Sequence, residues 1–277
     1  MNGTELTRAL LAGFEPRPGS GPATPSPRAT GPEPLGPAVA IPAPAGLPAA
    51  ADLSTTLHRR RAQRVFGSAA VAPALLLECV AAGLSADRRY WPDEAECCEL
   101  LPVLVAQRVG GLAPAVYDLD PAGRTATPVM ALPTPAAVEA LTLQREFAAA
   151  AAIVAVLSDV DGSEARHGAP GYRRLMTRAG AAVYAMWLEA VARGLVGSVF
   201  AGFLPAAVRV PLRCDGVSRH QLFALALGSP VPDDALLPAE SAGVPDDALF
   251  PAESAGVLSP AESAGATVPE SGPAAPA

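Results

Sequence analysis

Proline is the residue that most limits what this chain can fold into. Each proline holds φ near about −65° and removes a backbone donor, which excludes it from helix interiors and central strands. The sequence carries 31 prolines in 277 residues, and they crowd toward the two ends. Eleven lie between Glu15 and Ala50, mixed with Gly, Ala and Ser and showing neither a helical nor a strand period. Such a stretch buries too little apolar surface to offset its ordering entropy. The expected organisation is a disordered Pro/Ala/Gly-rich segment over 1–54, one domain over 55–229, and a disordered acidic segment over 230–277. About 175 residues then remain for the domain, a usual size for one sizeable core.

The acidic segment is a repeat. Val231-Pro-Asp-Asp-Ala-Leu-Leu-Pro-Ala-Glu-Ser returns thirteen residues later as Val244-Pro-Asp-Asp-Ala-Leu-Phe-Pro-Ala-Glu-Ser, with shortened copies at Leu258–Ser263 and Val268–Ser271. Solenoid units are about twenty residues or longer and each brings an apolar face; these are short, acidic and broken by proline. Near the other end, Thr4–Phe14 reads as a short helix with Leu6, Leu10 and Leu11 on one face.

Charge and cysteine usage exclude several chemistries. All 20 basic residues are arginine, so no lysine is present to form a Schiff base, anchor pyridoxal phosphate or complete a phosphate loop. A net charge of −7 argues against general nucleic-acid binding. The four cysteines (Cys79, Cys97, Cys98, Cys214) contain no CxxC pair. Adjacent Cys97 and Cys98 make a poor chelate or disulfide, and three scattered histidines add no ligand pattern, so no metal is expected. There is no signal-peptide pattern, and the longest apolar run, Phe147–Leu157, is too short to span a bilayer. A soluble, cytoplasmic protein without membrane contact is expected.

Within the domain, α and β patterns alternate. Helices are expected over Ala72–Leu84, Ala136–Ala150 and Gly171–Leu195, the last being the strongest: Tyr172, Leu175, Met176, Ala179, Val183, Met186, Trp187, Ala190 and Val191 recur at helical spacing. Gly194 is a natural stop for it. Strands are expected over Leu101–Gln107, Ala115–Leu119, Ala151–Ser158 and Leu222–Leu227, which gives an α+β or α/β class.

Three segments carry candidate chemistry. In His58-Arg-Arg-Arg-Ala-Gln-Arg-Val-Phe66, a helical reading puts Arg60 and Arg64 one turn apart on one face, able to clamp a phosphate. Gly171-Tyr-Arg-Arg-Leu-Met opens the long helix. Gly194-Leu-Val-Gly-Ser-Val-Phe-Ala-Gly-Phe203 follows it, its glycines able to bend and approach a flat ring closely.

Taken in order, these segments resemble the FMN-dependent nitroreductase-like family. The first is similar to that family's R-[RH]-S-x-[RK]-x-[FY] opening, with Ala62 in place of Ser. The second and third look like its GYR…EaGh…GLgs…gGf stretch. Val109-Gly-Gly-Leu-Ala-Pro-Ala-Val-Tyr117-Asp-Leu-Asp-Pro-Ala-Gly-Arg and Leu143-Gln144 are similar to segments of the azoline dehydrogenases, which oxidise thiazolines and oxazolines in ribosomally made peptides. The resemblance runs from Leu57 to Gly228. It implies an α+β nitroreductase-like fold, a mixed central sheet wrapped by helices with a long dimer-core helix. It implies FMN as cofactor, held by Arg60, Arg61, Arg64, Gln144, Ala201, Gly202 and Phe203, with Tyr172 beside the ring. A homodimer or heterodimer, a peptide substrate and a cyclodehydratase partner follow in the same way.

Three departures fall near the chemistry. Pro92-Asp-Glu-Ala95 stands where the family has PSaG. Arg166-His167 stands where the azoline dehydrogenases have a catalytic Lys-Tyr pair, which makes His167 the candidate base because arginine stays protonated. Arg178-Ala-Gly-Ala181 exchanges an acid for a base. They leave two other readings open: a degenerate, non-catalytic subunit of a peptide-modifying complex, and a general nitro or quinone reductase.

Overall fold

Strand β5, Ala152–Ser158, is buried at every residue and forms the axis of the sheet. Its alternate side chains serve two cores: Val154 and Val156 pack into one, and Ile153, Ala155 and Leu157 into the other. This is how a strand covered on both faces reads as an unbroken apolar run. Around it lie β1 (Val39–Ala40), β2 (Leu101–Ala106), β3 (Ala115–Asp120), β4 (Thr125–Ala131), β6 (Val196–Phe200) and β7 (His220–Gly228), in the order β1-β4-β3-β2-β5-β7-β6. The named strands pair antiparallel throughout. The parallel element of the expected mixed sheet is confined to isolated bridges, Ala62 with Gly197 and Val71 with Val109.

The computed structural model describes residues 31–168, 170–201, 203, 207 and 209–231, together with Glu5. All belong to a unit spanning Met1–Ala235; a second unit, Leu236–Ala277, lies outside the described residues. The acidic repeat after Val231 and, Glu5 apart, the helix expected at Thr4–Phe14 also lie outside them.

Six helices accompany the sheet among the described residues: α1 (Leu53–Arg59), α2 (Pro73–Tyr90), α3 (Pro92–Cys97), α4 (Pro135–Glu139), α5 (Val160–His167) and α6 (Pro170–Ala192). Their ends follow local chemistry. Asp52 Oδ1 accepts from Thr55 N (2.9 Å) at the start of α1, and Asp159 Oδ1 accepts from Gly162 N (2.8 Å) at the start of α5. Proline occupies a first-turn position in α2 and α3, where a missing N–H costs nothing. Gly168 (φ 67°) and Gly194 (φ 87°) stop α5 and α6. Helices α2 and α6 pack against each other and supply much of one core, as Leu76, Val80, Leu84, Leu175, Val183 and Met186 show.

Two expectations are corrected. The single helix expected over Ala136–Ala150 is broken into α4 and a 3-10 turn at Arg145–Ala149. Between them Thr142 bridges to Phe203 and its Oγ1 donates to the Gln144 carbonyl (3.1 Å), drawing the chain out of helical geometry. Within the segment 1–54 that is expected to be disordered, residues 31–54 are laid on the domain. Val39–Ala40 pair with β4, Ile41 is buried, Leu35 N donates to the Pro128 carbonyl (2.8 Å) and Ala51 N to the Ala192 carbonyl (2.8 Å). Proline is tolerated there because an edge strand needs few donors, and the proline carbonyls still accept: Arg193 Nη1 donates to Pro48 O (3.0 Å).

Candidate functional site

Helix α1 ends at Arg59, so the helical clamp of Arg60 and Arg64 is not formed. From Arg60 (φ −66°, ψ 102°) the chain runs extended and lies along the free edge of β6, with Gln63 N donating to the Gly197 carbonyl (3.0 Å). The arginines therefore separate. Arg60 stacks over the Trp187 ring (5.0 Å) and near Tyr184 (5.8 Å) on α6, and its Nε is buried without a partner. Arg64 pairs with Glu146 (3.1 Å) and lies over the Phe147 ring (6.0 Å). Arg61 instead lines a cavity of about 280 Å³ with Arg59, Gln63, Val191, Gly194, Leu195, Val196 and Pro230. Among the described residues neither the Arg59 nor the Arg61 side chain has a hydrogen bond or ion pair, so this cavity presents two available guanidiniums beside an apolar wall.

The glycine-rich stretch is partly spent on packing. A Cβ at Gly197 would collide with the Ala226 carbonyl of β7, and Gly194 has room around it but a positive φ. Phe200 stacks on Phe147 (4.2 Å) and on Phe203 (6.1 Å). Arg64, Gln144 and Phe203 are thus brought into one neighbourhood through Glu146, Phe147 and Thr142, with Gln144 exposed and Phe203 buried. Ala201 is exposed, and Gly202 lies outside the described residues.

The expected catalytic residues lie elsewhere. His167 is the last residue of α5; Arg166 before it and Tyr172 in the first turn of α6 are both exposed. Arg174 Nη1 is shared between Glu94 Oε1 (3.2 Å) and His167 Nδ1 (3.4 Å). With Nδ1 accepting, the proton sits on Nε2, which is buried without a partner. His167 can act as a base only if Arg174 withdraws toward Glu94. Next to this group is a second cavity, about 310 Å³, lined by Trp91, Glu94, Arg173, Arg174, Thr177 and Arg178. Arg174 stands about 20 Å along α6 from Trp187, at a rise of about 1.5 Å per residue, so one chain does not join the basic segment to His167.

Burial holds the His167 imidazole below the usual histidine range, and the cation of Arg174 adds to this. The folded value is below the unfolded one, so the unfolded chain binds more protons between the two. Stability is therefore greatest above the ordinary value near 6.5 and is lost as pH falls through that value toward the folded one. His167→Gln is expected to flatten this part of the acid limb in urea unfolding measured from neutral to mildly acidic pH.

Arg178, a base where the resemblance leads one to expect an acid, is buried in the helix layer. It makes a bidentate pair with Asp87 of α2 (3.0 and 2.8 Å) and donates to the carbonyls of Glu94 (3.0 Å) and Cys98 (3.2 Å). It thereby ties α2, α3 and α6 together and holds the Pro92–Ala95 segment as the first turns of a helix. Sequence reasoning missed the participation of Arg59, Gln63, Glu146 and Arg174. The last lies 7 residues beyond His167 but across the break at Gly168, so no helical period joins the two, and Glu146 is 82 residues from Arg64.

The chain has the nitroreductase fold. It superposes on a protein described as a nitroreductase from Anabaena variabilis with a TM-score of 0.55 and 21% identity, over 65% of this chain and 38% of that one. A protein described as a nitroreductase from Ralstonia eutropha gives 0.53 and 14%, over 79% and 98%. The E. coli microcin synthetase McbBCD complex with truncated pro-MccB17 bound gives 0.51 and 15%, over 64% and 73%. The chain thus spans well under half the length of the first of these. A scan against protein-family models finds no match, and neither does a comparison with curated proteins. Among the described residues, no helix is long and apolar enough to cross a membrane, and no cluster of His, Cys, Asp and Glu is suited to a metal.

Proposed function

We propose that the chain is an FMN-dependent dehydrogenase that oxidises thiazoline or oxazoline rings to thiazoles or oxazoles in a ribosomally made peptide. The observation that carries this reading is the basic segment laid along β6, on a fold shared with the microcin synthetase McbBCD complex with truncated pro-MccB17 bound. Arg59, Arg61 and Gln63 fit the flavin phosphate: two available guanidiniums and an amide border a cavity with an apolar wall. Arg64 lies apart from that cavity, over Phe147, and its pair with Glu146 is exposed on both sides (59% and 38%) and worth at most about 1 kcal/mol, so it can be released toward the flavin at small cost. Bound there, FMN would supply the hydride acceptor for desaturation.

A second copy completes the site in this reading. The residues of α6 that face outward (Arg173, Thr177, Ala181 and Tyr184) form one exposed stripe at helical spacing. Pairing through that stripe would bring the α3–α5 end of one protomer toward the basic segment of the other. His167 would then be the base and Tyr172 would contact the substrate. The dehydrogenase would work beside a cyclodehydratase that makes its azoline substrate.

One set of observations favours a second reading, a non-catalytic subunit of such a complex. Arg60 is taken up by Trp187 and Tyr184, Asp93 and Glu94 carry acids at the segment expected to face the flavin, and Arg174 blocks His167. The visible flavin band separates the two. The dehydrogenase reading expects the purified protein to be yellow or to bind added FMN; a protein that stays colourless with FMN belongs to the second. Arg61→Glu and Arg64→Glu are each expected to abolish flavin retention with an unchanged circular dichroism spectrum. Unchanged retention in both removes the basic segment as the phosphate clamp.

A further inference from the structure

Cys97 ends helix α3 and Cys98 follows as its cap. Their sulfurs lie 3.0 Å apart, in direct contact, although adjacent cysteines were expected to make a poor disulfide. Cys97 is partly exposed and Cys98 buried, so an oxidant reaches one sulfur and finds the other directly behind it. Cys79 and Cys214 are buried, and each belongs to an apolar core.

We propose that Cys97 and Cys98 form a modification site, oxidised reversibly by a hydroperoxide to a disulfide within the chain. In the first step Cys97 Sγ attacks the peroxide, its S–H proton goes to the departing oxygen, and a sulfenic acid and an alcohol or water result. In the second step Cys98 Sγ attacks Cys97 Sγ, the S–O bond breaks, and the Cys98 proton leaves with the hydroxyl as water. Two thiols are oxidised by two electrons and the peroxide is reduced. Burial pushes the Cys98 thiol up to about 12, which leaves the first attack to Cys97.

The bond is a labile one, for a geometric reason. Adjacent Cα atoms are about 3.8 Å apart across a trans peptide, whereas disulfides usually span about 4.4–6.8 Å between Cα atoms. The eight-membered ring is therefore strained, and strained disulfides are the readily reduced ones. Closing it moves the sulfurs together by about 1 Å at the residue whose carbonyl accepts from Arg178 Nη2 (3.2 Å), so the redox state of the pair bears on the tie between α3 and α6. This site does not depend on the flavin reading.

The test uses the full chain treated with hydrogen peroxide in modest excess and digested with trypsin. Cleavage after Arg89 and Arg108 leaves both sulfurs in one peptide, Tyr90–Arg108, with no other cysteine. The expected result is a loss of about 2 Da in that peptide, reversed by dithiothreitol, with the thiol titre of the denatured protein falling by half from its four cysteine thiols. Cys97→Ser and Cys98→Ser are each expected to abolish the loss, and Cys79→Ser to retain it. An unmodified peptide, a sulfinic acid on Cys97 with Cys98 still free, or a disulfide linking two chains would each overturn the proposal.

Discussion

Arg178→Ala is expected to lower the unfolding free energy by about 3–5 kcal/mol, a large part of the stability of a domain this size. Both members of the pair are almost fully buried, with side chains 2% and 3% exposed. Removing the guanidinium leaves the Asp87 carboxylate in the helix layer without its counter-charge. It also strips donors from the carbonyls of Glu94 and Cys98, and a buried carbonyl left unpaired adds its own penalty. Urea unfolding followed by circular dichroism measures the loss. The paired replacement Asp87→Leu with Arg178→Met is expected to recover the part due to the unpaired carboxylate, because an apolar pair of similar volume removes the desolvation cost along with the attraction, but not the part due to the two carbonyls. A loss below about 1 kcal/mol for Arg178→Ala would mean that the pair is solvated, as surface ion pairs are.

Gly83→Leu is expected to destabilise by about 1–3 kcal/mol or more, despite replacing the poorest ordinary helix former with a good one. At Gly83 helices α2 and α6 touch, and an added Cβ would meet the Met186 side chain and the Ala182 carbonyl. Methionine can shift, but a backbone carbonyl inside a packed helix cannot. Gly180→Ala is the matched control. Its Cβ would meet nothing closer than the Phe223 ring at 3.6 Å, an ordinary contact, so removing glycine is expected to add about 0.5–1 kcal/mol. Thermal unfolding of the two variants should move in opposite directions; a stabilised Gly83→Leu would refute the close crossing.

Much of the fold was legible in the chain because its signals are local. Strand β5 announces itself as an apolar run of strand length, and α6 by its helical repeat ending before a glycine. The break in 136–150 was not legible, because the apolar pattern continues through it; a bridge from Thr142 to Phe203, 61 residues on, decides the geometry. Strand β1 was hidden for the opposite reason. Two residues inside a proline-rich stretch carry no period, and they are ordered only by the edge of β4.

The candidate site divides in the same way. The arginine run, the glycine stretch and His167 were visible as residue types suited to a chemistry. By itself the sequence determined the composition of the site, the class of the fold and the strong elements, because propensity and periodicity act over a few residues. Only the tertiary structure decided what each charged group is free to do. Arg60 is taken by an aromatic pair on α6, Arg64 by Glu146, His167 by Arg174 and Arg178 by Asp87, while Arg59 and Arg61 are left facing a cavity. The physical reason is that a charge is committed by whatever neighbour desolvates or pairs with it, and for Arg178 that neighbour is 91 residues away along the chain.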